Sequence, residues 1–172
     1  MKQLIITTLF FFSSGIFAIG QESVDKFPRT ISELPGVFQI GEYESFYKNL
    51  YAEYPGFLLS ETGNNMNAAF EKWLNMIYAM EEHSNTLDFD LNGLKVWLNV
   101  FFNEDGSIDF LQFHKKPYSK NIDEKELKAF FNSFIKEYKM PITAEGKFNH
   151  SGSAGFPTFG KTRLEAKKPN GQ

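Results

Sequence analysis

The three histidines are the residues best suited to chemistry in this chain. His83, His114 and His150 stand far apart and lack the short spacing by which histidines share a metal ion. His83 falls at the end of a predicted helix and His114 at the end of a predicted strand. His150 lies in a glycine- and serine-rich segment and is the histidine free for chemistry. Carboxylates such as Asp88 and Asp90 could approach it, but no spacing requires this. We therefore predict no metal site and no catalytic site.

Two further patterns match catalytic motifs by letter alone. Residues 155–162, "GFPTFGKT", fit the phosphate-binding loop G-x-x-x-x-G-K-[ST], whose backbone N–H groups surround phosphates. That loop requires a buried strand before it, whereas a Gly/Ser stretch precedes this one. Ser45-x-x-Lys48 and Ser133-x-x-Lys136 fit a serine–lysine nucleophile pattern, but both fall on amphipathic helices without the accompanying motifs. We predict no nucleotide, no other cofactor and no enzyme activity.

The composition limits what holds the chain together and what it binds. The chain has no cysteine, which excludes disulfides and thiolate metal sites, and its 20 Phe, 7 Tyr and 2 Trp can supply the core instead. The net charge of −3 leaves no overall basic surface for nucleic acid.

The first twenty residues predict a secretory signal peptide. Lys2 supplies the positive start, Leu4 to Phe12 the apolar region, and Ala18-Ile19-Gly20 a small-x-small cleavage site. The alternative is a retained membrane anchor, for which this stretch is short. We expect a bacterial protein that is periplasmic or secreted and, once cleaved, not membrane-spanning. Residues 21–40 then form an extended lead-in with a short strand near 37–40, and residues 161–172 form a polar tail.

Two amphipathic helices are predicted in residues 41–83. The first carries an aromatic stripe at helical spacing and stops at Pro55-Gly56. Its stripe consists of Tyr43, Phe46, Tyr47, Leu50, Tyr51 and Tyr54. The second runs from about Asn67 to Glu82, and its apolar face consists of Phe70, Trp73, Leu74, Ile77 and Met80. Both stripes indicate core surfaces.

From residue 86 the apolar residues recur with period two, which predicts strands. Asn92-Gly93 between alternating runs is a strong signal for a two-residue hairpin loop. This loop would put three pairs on one face, namely Leu91 with Leu94, Phe89 with Val96 and Leu87 with Leu98. Asp90 would then lie opposite Lys95 on the other face.

A second hairpin is predicted in "VFFNEDGSIDFLQF", residues 100–113. We favour a type I turn from Asn103 with Gly106 in the left-handed region, which sets Phe102 beside Ile108 and Val100 beside Phe110. A two-residue Asp-Gly loop would instead turn Leu111 and Phe113 inward.

A third helix begins at Asp123, where Asp123 and Glu126 resemble a capping box, and ends before Pro141. Placed across the sheet, it gives an α+β fold with two layers, a three-stranded antiparallel meander against amphipathic helices. Residues 147–160 could add a fourth, edge strand, although Gly152, Gly155 and Pro157 argue against a regular central one. Residues 41–160 thus form one domain, helical over 41–83 and sheet plus helix over 86–160.

Residues 90–160 resemble the C-terminal domain of TonB-type energy transducers. The matching features are a glycine, an alternating strand, an Asp-Gly turn, a second strand, an acidic-capped helix that ends near a Lys-Pro-like stop, and a last strand. They fall here at Gly93, Asp105, Gly106, Ile108, the helix from Asp123, and Pro141. No proline-rich spacer precedes them. The resemblance implies a domain whose sheet pairs with a peptide from an outer-membrane protein.

Our first hypothesis is therefore an exported, non-enzymatic module that binds a protein or peptide partner at a sheet edge. The candidate contact residues are Trp97, Phe101, Phe148, His150 and Phe156. Trp97 and Phe101 share the strand face opposite the expected core, where either the first two helices cover them or they form a contact patch. One alternative is a small-ligand carrier with an aromatic cavity, cystatin-like or NTF2-like. Another is a small hydrolase centred on His150.

Overall fold

A computed structural model of the chain describes residues 27–158. The predicted signal peptide, residues 21–26 of the lead-in and the predicted tail lie outside this range. The strands are β1 Val37–Tyr43, β2 Gly56–Phe57, β3 Lys95–Phe102, β4 Ile108–Lys115 and β5 Phe148–Gly155. The α-helices are α1 Tyr47–Glu53, α2 Leu58–Glu61, α3 Met66–Thr86 and α4 Glu124–Glu137, and 3₁₀ turns lie at Ile31–Glu33 and Glu44–Phe46. The α+β prediction is confirmed.

The strands form one five-stranded sheet in the order β1-β4-β3-β5-β2. β3 pairs antiparallel with β4 on one side and with β5 on the other, while β1 and β2 are parallel additions at the two ends. The predicted three-stranded meander is therefore wrong in the identity of one strand. β3 takes as its second neighbour the distant β5, not the adjoining residues 87–91.

The Asn92-Gly93 hairpin fails because no strand precedes it. α3 continues to Thr86, and the N–H of Phe89 then donates to the carbonyl of Ser84 (2.9 Å), which folds the chain back on the helix end. Leu87, predicted to face the core, is 50% exposed. Asp90 binds Lys120 (2.6 Å) instead of lying opposite Lys95.

The last strand is more regular than its glycines suggested. β5 pairs with β3 over eight residues, from Phe148 with Phe102 to Gly155 with Lys95. Gly152 is needed inside this strand because a Cβ there would lie 2.9 Å from the indole of Trp73. A glycine in a strand thus marks a close approach of another group, here a side chain of α3.

The β3–β4 hairpin confirms the predicted turn but not all of the predicted register. Gly106 has φ +84°, its N–H donates to the carbonyl of Asn103 (2.9 Å), and Phe102 is paired with Ile108. A bulge at Asp109 then shifts the register, so Val100 is paired with Leu111 instead of Phe110. As a result, Leu111 and Phe113 join the main core and Phe110 points to the other face.

Two cores result, one on each face of the sheet, so the two-layer prediction is incomplete. α3 and α4 cover one face, which we call the helix face, and form the larger core with β3, β4 and β5. On the opposite face a smaller core joins α1 and the lead-in to the sheet through Leu34, Phe38, Leu50, Tyr54, Phe101 and Phe110. The reason is that β3 and β4 carry adjacent apolar residues, which necessarily face opposite sides of a strand.

The helix ends follow local sequence signals. Asp123 caps α4 by accepting hydrogen bonds from the N–H groups of Lys125 (2.9 Å) and Glu126 (3.2 Å), as predicted. α1 ends before Pro55, but its predicted first turn is replaced by a 3₁₀ turn after Tyr43, which has φ +56°.

Candidate functional site

The outer side of β5 has a neighbouring strand over two residues only. β2 pairs in parallel with Phe148 and Asn149, and the N–H of Gly56 donates to the carbonyl of Lys147 (3.2 Å). β2 then ends because the chain enters α2 at Leu58. Within residues 27–158, no strand continues this pairing. We call residues 150–155 of β5 the open edge.

The main-chain groups of the open edge alternate in direction. The N–H of Phe156 donates to Leu94 (3.0 Å), so even-numbered residues of the strand direct their main-chain groups toward β3. The N–H and C=O groups of Ser151 and Ser153 therefore point away from the sheet. Among the described residues, neither N–H group donates to a side chain or a loop. Such groups can pair with an added strand.

On the helix face, aromatic side chains border the open edge. The ring of His150 lies against the indole of Trp73, with 4.6 Å between centroids. Phe70, one helical turn before Trp73, is 58% exposed. Phe57 is 60% exposed, but it is paired with Asn149 and therefore belongs to the opposite face of the sheet. A cleft of about 370 Å³ opens where β2 ends, and its lining residues are Phe57, Leu59, Ser60, Asn64, Asn149, His150 and Ser151. Burial lowers the pKa of His150 and so favours a neutral ring.

On the opposite face, a fixed tryptophan borders the same edge. Trp97 is paired with Ser153 and is 41% exposed. Its indole N–H donates to Asn99 Oδ1 (3.0 Å), and Asn99 Nδ2 donates to Gln112 Oε1 (3.0 Å). Gln112 Nε2 is buried without a hydrogen-bond partner among the described residues. This chain of amides holds the indole in one orientation.

The five predicted contact residues divide between the surface and the core. Trp97 and His150 border the open edge. Phe101 and Phe148 are fully buried and Phe156 is nearly so, so these three side chains belong to the core in this structure. Phe101 lies under Tyr51 and Tyr54, and the other two fall on the helix face because of the strand's alternation.

The sequence prediction missed Ser151, Ser153 and Phe57 as parts of this site. A signal for β5 was present, since residues 148–155, "FNHSGSAG", place the polar residues Asn149, Ser151 and Ser153 at alternate positions. The glycines obscured that alternation. No local pattern indicated that the two-residue strand after Pro55 would end beside it.

A second grouping, also not predicted, joins His83, Ser133 and Glu137 between α3 and α4. His83 Nε2 lies 2.8 Å from Ser133 Oγ, and Nδ1 lies 3.4 Å from Glu137 Oε2. These are the residue types of a nucleophilic triad. However, the Ser133 hydroxyl donates to the carbonyl of Phe130 (2.8 Å), and the N–H groups of the surrounding helix are used within the helix. That main chain cannot serve an oxyanion, so we interpret the group as a link between helices.

A third grouping surrounds Asp109, which the β-bulge turns toward α1. Its carboxylate accepts hydrogen bonds from Tyr54 Oη (2.6 Å) and Asn103 Nδ2 (2.6 Å). Lys147 lies over the Tyr54 ring and binds Glu53 (2.7 Å). Burial, with the Asp109 carboxylate, raises the pKa of Tyr54 and keeps its hydroxyl protonated. Because the partners satisfy one another, we interpret this network as the attachment of α1 to the sheet.

Neither a metal-binding cluster nor a membrane-spanning helix is found within residues 27–158. Among residues 27–158, no group of three or more His, Asp or Glu side chains could hold a metal ion. No helix of the described part combines enough length with enough apolar character to cross a membrane. The segment 155–162 that matches the phosphate-binding loop pattern begins at Gly155, the last residue of β5, so a strand does precede it. Residues 159–162 of this segment lie outside the residues that the structure describes.

No family model, curated protein or solved structure matches this chain.

Proposed function

We propose that this chain is an exported, non-enzymatic binding module that recognises a protein or peptide partner by adding an extended segment to the open edge. The observation that carries the proposal is the pairing of β5, which is complete toward β3 and limited to two residues on the outer side. An added strand would gain main-chain hydrogen bonds from Ser151 and Ser153, and its side chains would alternate between the two faces.

The surroundings of the open edge support this function. Phe70 on the helix face, and Phe57 and Trp97 on the opposite face, provide exposed aromatic surface near the open edge. Aromatic side chains at such positions commonly supply most of the affinity of an interface. The strand that a TonB-like arrangement would use for partner pairing corresponds to β5, and an envelope protein is the expected source of the segment.

The ligand-carrier alternative has less support. It requires aromatic residues around an interior space, whereas many core rings lie against one another. Phe102 stacks on Phe148 with 4.8 Å between centroids, and Phe89 stacks on Phe130 at 4.9 Å. The hydrolase alternative requires an acid or serine partner for His150, and its one described ring contact is Trp73.

The proposal is tested by selecting peptides that bind the protein and then removing one main-chain hydrogen-bond donor from the open edge. A displayed library of random dodecapeptides is panned on the purified protein, and each selected peptide is measured by calorimetry on two variants. Ser151→Pro removes the outward N–H, a change that edge strands tolerate. Ser151→Ala removes the same hydroxyl and keeps the N–H. We expect at least tenfold weaker binding to Ser151→Pro and less than twofold change in Ser151→Ala.

Thermal unfolding of both variants shows whether the fold is kept. If Ser151→Pro is destabilised, amide NMR shifts on the wild-type protein replace it, and the expected changes centre on residues 149–155. Equal binding by the two folded variants, or shifts centred elsewhere, would contradict the proposal.

A further inference from the structure

The far end of the open edge carries two lysines on the Trp97 face. Lys95 is paired with Gly155, and Trp97 with Ser153, so both side chains point to the same face. Lys116 directly follows β4, and its side chain lies on the same face of the sheet as Lys95 and Trp97. It reaches across β3, and its Nζ donates a hydrogen bond to Ser153 Oγ (3.0 Å). A strand added beside Ser153 would therefore place a side chain next to this ammonium group.

These two lysines have no carboxylate partner in the described part of the chain. The salt bridges of lysines in that part use Lys120, Lys128, Lys139 and Lys147, and Asp90, at this end of the sheet, is bound by Lys120 (2.6 Å). Lys95 and Lys116 are also neighbours, since the N–H of Lys116 donates to the carbonyl of Lys95 (2.9 Å), so two positive charges lie together beside the open edge. A hydroxyl is a weak partner for Lys116, and a carboxylate would form a stronger, charge-assisted hydrogen bond.

The near end of the open edge differs in chemistry. A residue opposite His150 would direct its side chain to the helix face, beside the cleft lined by Phe57, Leu59 and His150. From His150 to Ser153 is three residues, about 10 Å along a strand. Because three is odd, side chains at these two places lie on opposite faces of the sheet.

We propose that the open edge selects an extended segment with an acidic side chain opposite Ser153 and an apolar side chain three residues away, opposite His150. This inference rests on the proposed function and adds the class of segment recognised. Parallel and antiparallel strands give the same spacing in opposite order, so the order found identifies the strand direction.

The experiment repeats the library selection on a charge-reversed protein. Lys95→Glu/Lys116→Glu removes and inverts the charge at the edge, and Lys48→Glu is the matched control, since Lys48 is exposed on α1. Wild type and control should enrich Asp or Glu three positions from an aliphatic or aromatic residue. The double variant should enrich Lys or Arg at that position and keep the apolar one. In a wild-type peptide, acid-to-amide substitution should weaken binding at least fivefold.

The outcomes separate the two proposals. This inference would be overturned, and edge binding left intact, if the selected peptides required the Ser151 N–H but showed no preference for an acidic residue. The same holds if the double variant selected acidic residues as strongly as the wild type does. An acidic residue enriched two or four positions from the apolar residue, instead of three, would also overturn it. Peptides indifferent to Ser151→Pro would overturn edge binding itself. Should the reversed variant unfold, Lys95→Met/Lys116→Met keeps the aliphatic stems, and loss of the acidic preference is then the expected result.

Discussion

The two edges of the sheet are built differently. At the β1 edge, the outward N–H of Gln39 donates to Glu42 Oε2 (2.7 Å), and that of Gly41 donates to Tyr47 Oη (2.6 Å). The chain thus closes this edge with its own nearby side chains. At the β5 edge, the corresponding groups of Ser151 and Ser153 have no such partner within residues 27–158.

The difference teaches that an open edge is not a general property of this sheet. Glu42 is held in place by Lys128 of α4 (2.8 Å), which ties the closed edge to the helix layer. Unprotected edges promote unwanted pairing, so proteins usually cover or charge them. The closed β1 edge shows that side-chain closure is achievable in this fold, and within residues 27–158 no such closure occurs at β5, which fits the proposed binding role there.

The largest expected effect comes from disturbing the strand that carries the open edge. Gly152→Val would place a branched side chain where the Trp73 indole lies, 2.9 Å from a Cβ. Overpacking of this kind should lower the free energy of unfolding by about 3 kcal/mol, measured by urea denaturation. Gly155→Ala is the control, since its Cβ would meet nothing within 4 Å. Equal losses in both variants would show that Trp73 does not pack on β5 as described.

Amide hydrogen exchange compares the edges directly in the unmodified protein. Ser151 and Ser153 should exchange at least tenfold faster than Gly152 and Ala154, whose N–H groups point toward β3. Gln39 should exchange as slowly as its β1 neighbours because Glu42 holds its N–H. Uniform protection along β5 would contradict the open edge.

Opening the closed edge should have a smaller effect. Glu42→Ala removes the acceptor of the Gln39 N–H and the partner of Lys128, at a cost of about 1 kcal/mol. Glu42→Gln keeps an oxygen acceptor and should restore slow exchange at Gln39. A Gln39 amide that stays protected in Glu42→Ala would mean that another group closes this edge.

The smallest expected effect is the acid sensitivity of His150. Burial holds its pKa below the ordinary 6.5, so the folded chain binds fewer protons than the unfolded chain in that range. Stability should therefore fall as pH drops below about 7, and less so in His150→Gln. His83 and His114 remain in both proteins, so the difference between their unfolding free energies at pH 8 and pH 5 isolates His150. Identical pH profiles would contradict the burial of this ring.

Features that depend on neighbouring residues were predicted from the sequence. α4 begins directly after Asp123 because that side chain binds N–H groups of the first turn, and Gly106 allows the turn of the β3–β4 hairpin because a glycine readily adopts a positive φ. The identity of the pairing strands was harder to predict. Residues 87–91 and β5 are both candidates for the free side of β3, and β5 offers eight paired residues against at most five.

The open edge likewise combines features set by local sequence with features set by contacts between distant residues. The sequence by itself determined three helices, the turn at Gly106, an apolar face on β3 and a chain held without disulfides, since these follow from local spacing and composition. Tertiary structure alone decided that Trp97 is exposed while Phe101 is covered, because α1 packs over only part of that face. It also decided where β2 stops, since α2 begins at Leu58 and, within residues 27–158, no strand pairs with the outer side of β5 beyond Asn149. Both outcomes depend on contacts between residues far apart in the chain, which local spacing does not encode.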